Sequence, residues 1–341
     1  MKKLSLSILS LTLISLLACN NSQINNNLEE QKIDSEQTSI LSKYSKDQKD
    51  TNKQRNSFKN FLAKNYITGI VEKKNVKSKF LKSGNRDLVV YLPPSYYQNT
   101  SKKYPVLYMH DGQNIFDAST APFGEWYVDE KVQYLIQKNI IDEIIVVGIY
   151  NGESERLNEL TWNPMTGEGG GNGKKYGEFL TKEAKPFIDK TYRTKSDRDN
   201  TAVAGSSLGG LISFYLALNY QDTFSKVGIM SPSFWWNDGE AIKEVSKFNK
   251  NFDFWLDCGS NEGSDGSVMV GYVNGMYNAL TNKFGKDKVL KYIQQGAGHN
   301  ESAWAERIHS PIIDFFGKEK NFDNKTKLIN RLMSYDEWAK L

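Results

Sequence analysis

Residues 201–220 read TAVAGSSLGGLISFYLALNY. A short apolar run, TAVA, meets a turn of small residues, and an apolar helix-forming stretch follows at once. The frame Gly205-Ser206-Ser207-Leu208-Gly209 fits G-x-S-x-G, in which the outer glycines let a strand and a helix cross closely around a strained turn. Such a turn lifts its central serine, here Ser207, out of the sheet at a helix N-terminus. Free N–H groups and the helix dipole favour negative charge there. Ser206 fits only if the frame is shifted, and the glycines then fall out of place.

The sequence on either side alternates in the same way. YPVLYMH (104–110), EIIVVGIY (143–150), NTAVAG (200–205), SKVGIM (225–230), DFWLDCG (253–259) and VLKYIQQG (289–296) read as strands. Several are apolar on both faces, as strands covered by helices on two sides are. DLVVYLPP (87–94) reads as an entering strand that stops at Pro93 and Pro94. GEWYVDEKVQYLIQKN (124–139), KKYGEFLTKEAKPFIDKTY (174–192) and NESAWAERIHSPIIDFF (300–316) carry apolar residues at helical spacing. Strands alternating with helices predict an α/β fold, a mostly parallel central sheet with helices on both faces, over residues 66–320. Residues 321–341 are left as a C-terminal extension.

The first 65 residues are of another kind. MKK is a basic start, and LSLSILSLTLISLLA (4–18) is an apolar run shorter than the roughly 20 residues of a membrane-spanning helix. The ending LLAC (16–19) resembles the lipobox of bacterial lipoproteins. The expectation is a signal peptide over 1–18 and a lipidated Cys19, giving an exported, membrane-anchored protein of the cell envelope. Cys258 is then left alone, and no internal disulfide forms. Residues 20–60 hold only Tyr44 and Phe58 as aromatics among polar and charged residues, too little apolar matter to offset the entropy of ordering. They read as a tether, with an end-to-end distance of about 35 Å. Loss of Lys2 and Lys3 with the signal brings the net charge from +4 to +2, and no basic cluster argues for nucleic acid.

A nucleophilic serine needs a base, and the chain has three histidines, His110, His299 and His309. His309 lies inside a helical pattern, where packing is the ordinary role. His299 alone combines a place downstream of Ser207 with a short glycine-containing loop, QGAGHNE, after a late strand. That matches the order serine, acid, histidine of α/β-hydrolases.

Six stretches in order, YLPPSY, YPVLYMHDGQNIFD, VVGIYN with RLNE, AGSSLGGLIS, SPSFWW and GHNESAWAERI, together resemble the esterase family of α/β-hydrolases. That family includes feruloyl and enterochelin-type siderophore esterases, the branch this chain is most similar to. The resemblance covers about two thirds of the chain, from Leu88 to Gly317. It implies the α/β-hydrolase fold, Ser207 as nucleophile and His299 as base. It also implies an oxyanion hole made by the N–H of Gln113, in HDGQN, and the N–H of Leu208. His110 and Asp111 then shape that loop. The implied activity is serine carboxylic-ester hydrolysis through an acyl-enzyme, on a feruloyl- or acetyl-carbohydrate or a siderophore-type ester, with no metal or organic cofactor.

The acid stays open among three residues of DCGSNEGSD, Asp257, Glu262 and Asp265. Strand alternation puts Asp257 inside the strand with Trp255, held by backbone or loop donors near its end. Glu262, three residues past Gly259, is best placed to reach the His299 imidazole, and Asp265 is the fallback. Trp162, Trp235 and Trp236 either pack or line a substrate pocket. GEGGGNGKK (167–175) lacks the Lys-Ser/Thr ending of a phosphate loop, which argues against nucleotide binding. The competing class is a lipid-anchored binding protein on a degenerate hydrolase frame, taking a glycan or siderophore without cleaving it.

Overall fold

Eight strands form one sheet, in the order β1-β2-β4-β3-β5-β6-β7-β8. They are β1 (Ile70–Lys77), β2 (Asn85–Leu92), β3 (Val106–His110), β4 (Ile145–Ile149), β5 (Thr201–Ser206), β6 (Lys226–Met230), β7 (Asp253–Gly259) and β8 (Val289–Gln294). The first two pairings, β1 with β2 and β2 with β4, are antiparallel, and the rest are parallel. Every residue of β3, β4 and β5 is buried, as a sheet covered on both faces requires. This is the α/β-hydrolase fold. The computed structural model describes residues 69–331, so the expected signal peptide, Cys19, the tether and the end of the C-terminal extension lie outside the described residues.

The helices in chain order are α1 (Val128–Gln137), α2 (Arg156–Glu159), α3 (Gly173–Phe179), α4 (Lys185–Thr191), α5 (Leu208–Asn219), α6 (Glu240–Lys243), α7 (Gly266–Phe284), α8 (Glu301–Arg307), α9 (His309–Phe316) and α10 (Phe322–Arg331). α5 is apolar all round and nearly wholly buried, the mark of a helix packed into the centre of the molecule. Two helices expected as single stretches are interrupted. Between α3 and α4 the chain makes a π turn, Leu180–Ala184, just before Pro186, whose ring and missing N–H disturb the regular ladder. The stretch 300–316 divides at Ile308, because Pro311 has no N–H to return to the Arg307 carbonyl.

β1 and α7 are among the elements that carry no expectation from sequence. β1 reads IVEKKNVK and buries only Val76, and its lysines suit an exposed sheet edge. α7 buries Met269, Val273, Met276 and Leu280 at helical spacing, but Gly271 and Gly275 interrupt the pattern. Among the described residues no helix is long and apolar enough to cross a membrane.

Candidate active site

β5 ends at Ser206, α5 begins at Leu208, and Ser207 makes the whole turn with φ 58 and ψ −122. That conformation is strained for a residue with a side chain. Gly205 permits it: a Cβ there would lie 2.9 Å from the Gly209 carbonyl carbon. The turn is pinned on all sides, with Ser207 N–H donating to Met230 O at 3.0 Å. The Ser207 carbonyl accepts from Leu211 and Ser233 N–H at 3.1 and 3.0 Å. The hydroxyl is thus presented at the C-terminal edge of the sheet, where the loops after β3, β6, β7 and β8 converge.

His299, on the loop after β8, brings its Nε2 to 2.9 Å from Ser207 Oγ and its Nδ1 to 2.9 Å from Glu262 Oε2. A carboxylate opposite Nδ1 keeps the ring proton on that nitrogen and leaves the Nε2 lone pair facing the serine. The Trp304 ring packs edge-on against the imidazole, with centroids 4.9 Å apart.

Glu262 is almost fully buried. Its other oxygen, Oε1, accepts from Ser231 Oγ and from Gly259 N–H, each at 2.5 Å. Burial pushes this carboxyl up, yet the hydrogen bonds from His299, Ser231 and Gly259 outweigh it and hold it below the ordinary range. Ser231 itself sits at φ 40 and accepts from Trp304 Nε1 and Arg307 Nη2 at 2.8 and 2.5 Å.

The three candidate acids therefore separate. Glu262 meets the imidazole. Asp265 is the N-cap of α7, accepting from Ser267 N–H at 3.0 Å. Asp257 lies in β7 as expected, but its partners are side chains, not the backbone or loop donors expected: Trp255 Nε1 at 2.6 Å and Arg307 Nε at 2.8 Å. Burial pushes its carboxyl up against the attraction of Arg307.

Gln113 is the middle residue of a tight turn after β3, in which Asn114 N–H donates to the Asp111 carbonyl at 3.0 Å. A turn of this kind leaves the amides of its inner residues without a partner inside it. The same holds for Leu208 at the start of α5. His110 is buried, with its Nδ1 2.7 Å from the Tyr176 hydroxyl, and burial pushes it down to about 4, so the ring is neutral. Gly112 presses on β4: a Cβ there would lie 2.4 Å from the Gly148 carbonyl carbon.

Of the three tryptophans, Trp236 is buried and donates its indole N–H to the Asn163 carbonyl at 2.8 Å. Trp162 is half-buried and stacks on Tyr215, 9° from parallel. Trp235 is 42% exposed, two residues beyond Ser233. Phe123, a residue without a sequence-based expectation, is 76% exposed beside Gly124, which approaches Glu301 in the helix after His299. The glycine-rich loop spends its amides on the protein: Gly171 N–H goes to Thr161 Oγ1, Asn172 N–H to Asn158 O and Gly173 N–H to Thr161 O. That is no cradle for phosphate. Among the described residues one group of acids, Glu125, Asp129 and Glu130, brings carboxylates within 4.8 Å of one another. Lys131, pushed down to about 8 by burial against their attraction, faces them with a countercharge.

A family described as "Putative esterase" matches residues 80–315. A relative from Bacillus subtilis (strain 168), described as uncharacterized protein YbbA, is 27% identical over 252 residues, covering 70% of this chain and 96% of its own. Solved structures share the fold. A ferulic acid esterase has a TM-score of 0.56 at 22% identity, over 73% of this chain and 99% of its own. The enterobactin esterase FES of Shigella flexneri has a TM-score of 0.60 at 20% identity, over 72% of this chain and 58% of its own.

Proposed function

The chain belongs to the family described as "Putative esterase" and is a carboxylic ester hydrolase, and on that premise we propose that it cleaves esters through an acyl-serine at Ser207. The observation that carries this is the unbroken line Ser207 Oγ, His299 Nε2, His299 Nδ1, Glu262 Oε2, with both hydrogen bonds at 2.9 Å. Family membership leaves the alternative of a non-catalytic binding protein without support.

Ser207 Oγ attacks the ester carbonyl while His299 Nε2 takes its proton. Glu262, ionised in its buried site, fixes the ring and stabilises the imidazolium. The carbonyl oxygen becomes an oxyanion and accepts from Gln113 N–H and Leu208 N–H, donors of a kind worth about 3–4 kcal/mol each. Collapse expels the alcohol, which takes its proton from His299. Water, activated by the same imidazole, then releases the acid and restores the serine.

For the substrate, we propose a feruloyl- or acetyl-carbohydrate or a siderophore-type ester. The structural neighbours are named for ferulic acid and enterobactin. The exposed rings of Trp235, two residues beyond Ser233, and of Phe123, next to the Gly124 that approaches Glu301, suit an aromatic or sugar moiety. We also propose that the protein is anchored through Cys19.

Fluorophosphonate labelling tests the mechanism. One equivalent should bind at Ser207, and Ser207→Ala should take no label and lose about 10⁴-fold or more in turnover. Labelling elsewhere, or retained turnover, overturns the assignment. A panel of p-nitrophenyl acetate, feruloyl sugars, acetylated xylan and a catecholate trilactone then ranks the substrate classes.

A further inference from the structure

We propose that Arg156 is a positioning residue for the oxyanion hole, acting through Asp111, so that the aim of the Gln113 N–H depends on a side chain that never touches substrate. This rests on the serine mechanism proposed above.

Asp111 is the pivot of the oxyanion loop. It adopts a left-handed backbone, φ 55 and ψ 45, immediately before Gly112 and Gln113. Asp tolerates that conformation better than most residues with a side chain, and here its carboxylate contacts hold it. Its carboxylate, 6% exposed, receives three donors. Arg156 gives Nε to Oδ1 at 2.7 Å and Nη2 to Oδ2 at 2.8 Å, and Asn151 gives Nδ2 to Oδ1 at 2.7 Å. The guanidinium fork on two oxygens sets both the distance and the direction of the carboxylate, which a lysine cannot do. Burial pushes Asp111 up, but Arg156 and Asn151 outweigh it and keep the group ionised, below the ordinary range.

The same segment holds the next residue as well. Asn151 donates its main-chain N–H to Gln113 Oε1 at 3.2 Å. On the other side Gly112 is pressed against Gly148 and Ile149 of β4. Gln113 is therefore bracketed between the sheet and the segment carrying Asn151 and Arg156. Opposite it, Gly209 in the first turn of α5 abuts His110, so the two elements carrying the oxyanion donors are packed against each other. Donors of this kind act by already being aimed when charge develops. Without the clamp the left-handed pivot is free to relax and the donor turns away.

The test uses the full-length protein with Arg156→Ala, Arg156→Lys and Asn151→Ala. Active sites are titrated with a fluorophosphonate, and kcat and KM on p-nitrophenyl acetate are expressed per titrated site. The inhibition constant of phenylboronic acid is measured alongside. The Ser207 oxygen bonds to boron while its proton passes to His299, giving a tetrahedral adduct that mimics the oxyanion. Arg156→Ala should lower kcat per site about 10- to 100-fold, less than the 10²–10³ for a donor removed outright, with KM changed under about threefold. Boronate affinity should fall by the same factor, and Arg156→Lys should lie between. Unchanged kcat per titrated site, or a fall in kcat with boronate binding intact, overturns the proposal. If Arg156→Ala yields no folded protein, Asn151→Ala carries the same test with a smaller, matched loss of kcat and boronate affinity. Failure of the native protein to label at Ser207 is a failure of the serine mechanism. Normal native labelling with full turnover in the Arg156 variants is a failure of the clamp alone.

Discussion

Asp257 and Arg307 form an ion pair, Oδ1 to Nε at 2.8 Å, in which neither side chain has any exposed surface. The pair stands behind the line Ser207, His299, Glu262. Arg307 Nη2 also donates to Ser231 Oγ, and Ser231 donates to Glu262. The carboxylate nearer the strand thus supports the one that meets His299, and the two should respond to substitution in opposite ways.

Glu262→Gln removes the charge that orients His299 while keeping the size of the side chain. It should lower kcat by about 10²–10⁴-fold, measured on a good ester, with a small change in Tm. Asp257→Asn removes the nearer of the two buried carboxylates that pair with Arg307, leaving only Glu262 at 3.5 Å, a loss of about 3–5 kcal/mol, seen in denaturant unfolding. Its turnover per titrated site should stay close to native. Stability lost at Glu262 and turnover lost at Asp257 would reverse the assignment.

Two glycines make a contrasting pair. Gly205→Ala drives a methyl group into the Gly209 backbone beside Ser207, and should cost about 1–3 kcal/mol and most of the fluorophosphonate labelling rate. Gly271, within α7, has open space where a Cβ would stand. Gly271→Ala should raise stability by about 0.5–1 kcal/mol with activity unchanged. A destabilised Gly271→Ala would mean that α7 packs differently there.

Acid should unfold the protein through its buried histidines. Burial pushes His110 down to about 4 and His309 to about 3, while the unfolded chain protonates both below about 6.5. The unfolded state then binds more protons, so stability falls as pH drops through 6.5 towards 4. Each histidine removes about 2 kcal/mol between pH 7.5 and pH 5. Asp314 runs the other way: burial pushes it up to about 6, so the stability from its proton is present at low pH and fades as pH rises through 6. His309→Gln should accordingly shrink the drop in Tm between pH 7.5 and 5.0 by about 4 °C. An undiminished drop would show that His309 does not titrate in this way.

Lipidation at Cys19 is tested by fractionation. Cys19→Ala should leave the membrane fraction and lose incorporation of labelled palmitate, while ester turnover per titrated site stays native. Retention in the membrane fraction counts against the anchor.

What the sequence discloses here is what a local motif or the order of residues along the chain carries. Gly205, Ser207 and Leu208 are consecutive enough for one motif to carry their geometry. His299 is legible by chain order, and Glu262 by its loop after β7. Arg156 is not, since its meaning lies in a fork on Asp111, 45 residues earlier. Ser231 is hidden for the same reason, as its three partners come from other elements. β1 escapes because an exposed edge strand needs few apolar residues, and α7 because two glycines blur its period.

Asp111, Ser207 and Ser231, residues with side chains at positive φ, stand respectively before Gln113, at the proposed nucleophile and behind Glu262. Each such position stores about 1–3 kcal/mol of conformational strain. They are the places where a glycine would relax the backbone and where activity has most to lose. For an engineer seeking a hardier esterase the tempting substitutions are therefore the wrong ones, and gains should be sought at quiet positions such as Gly271, away from the catalytic loops.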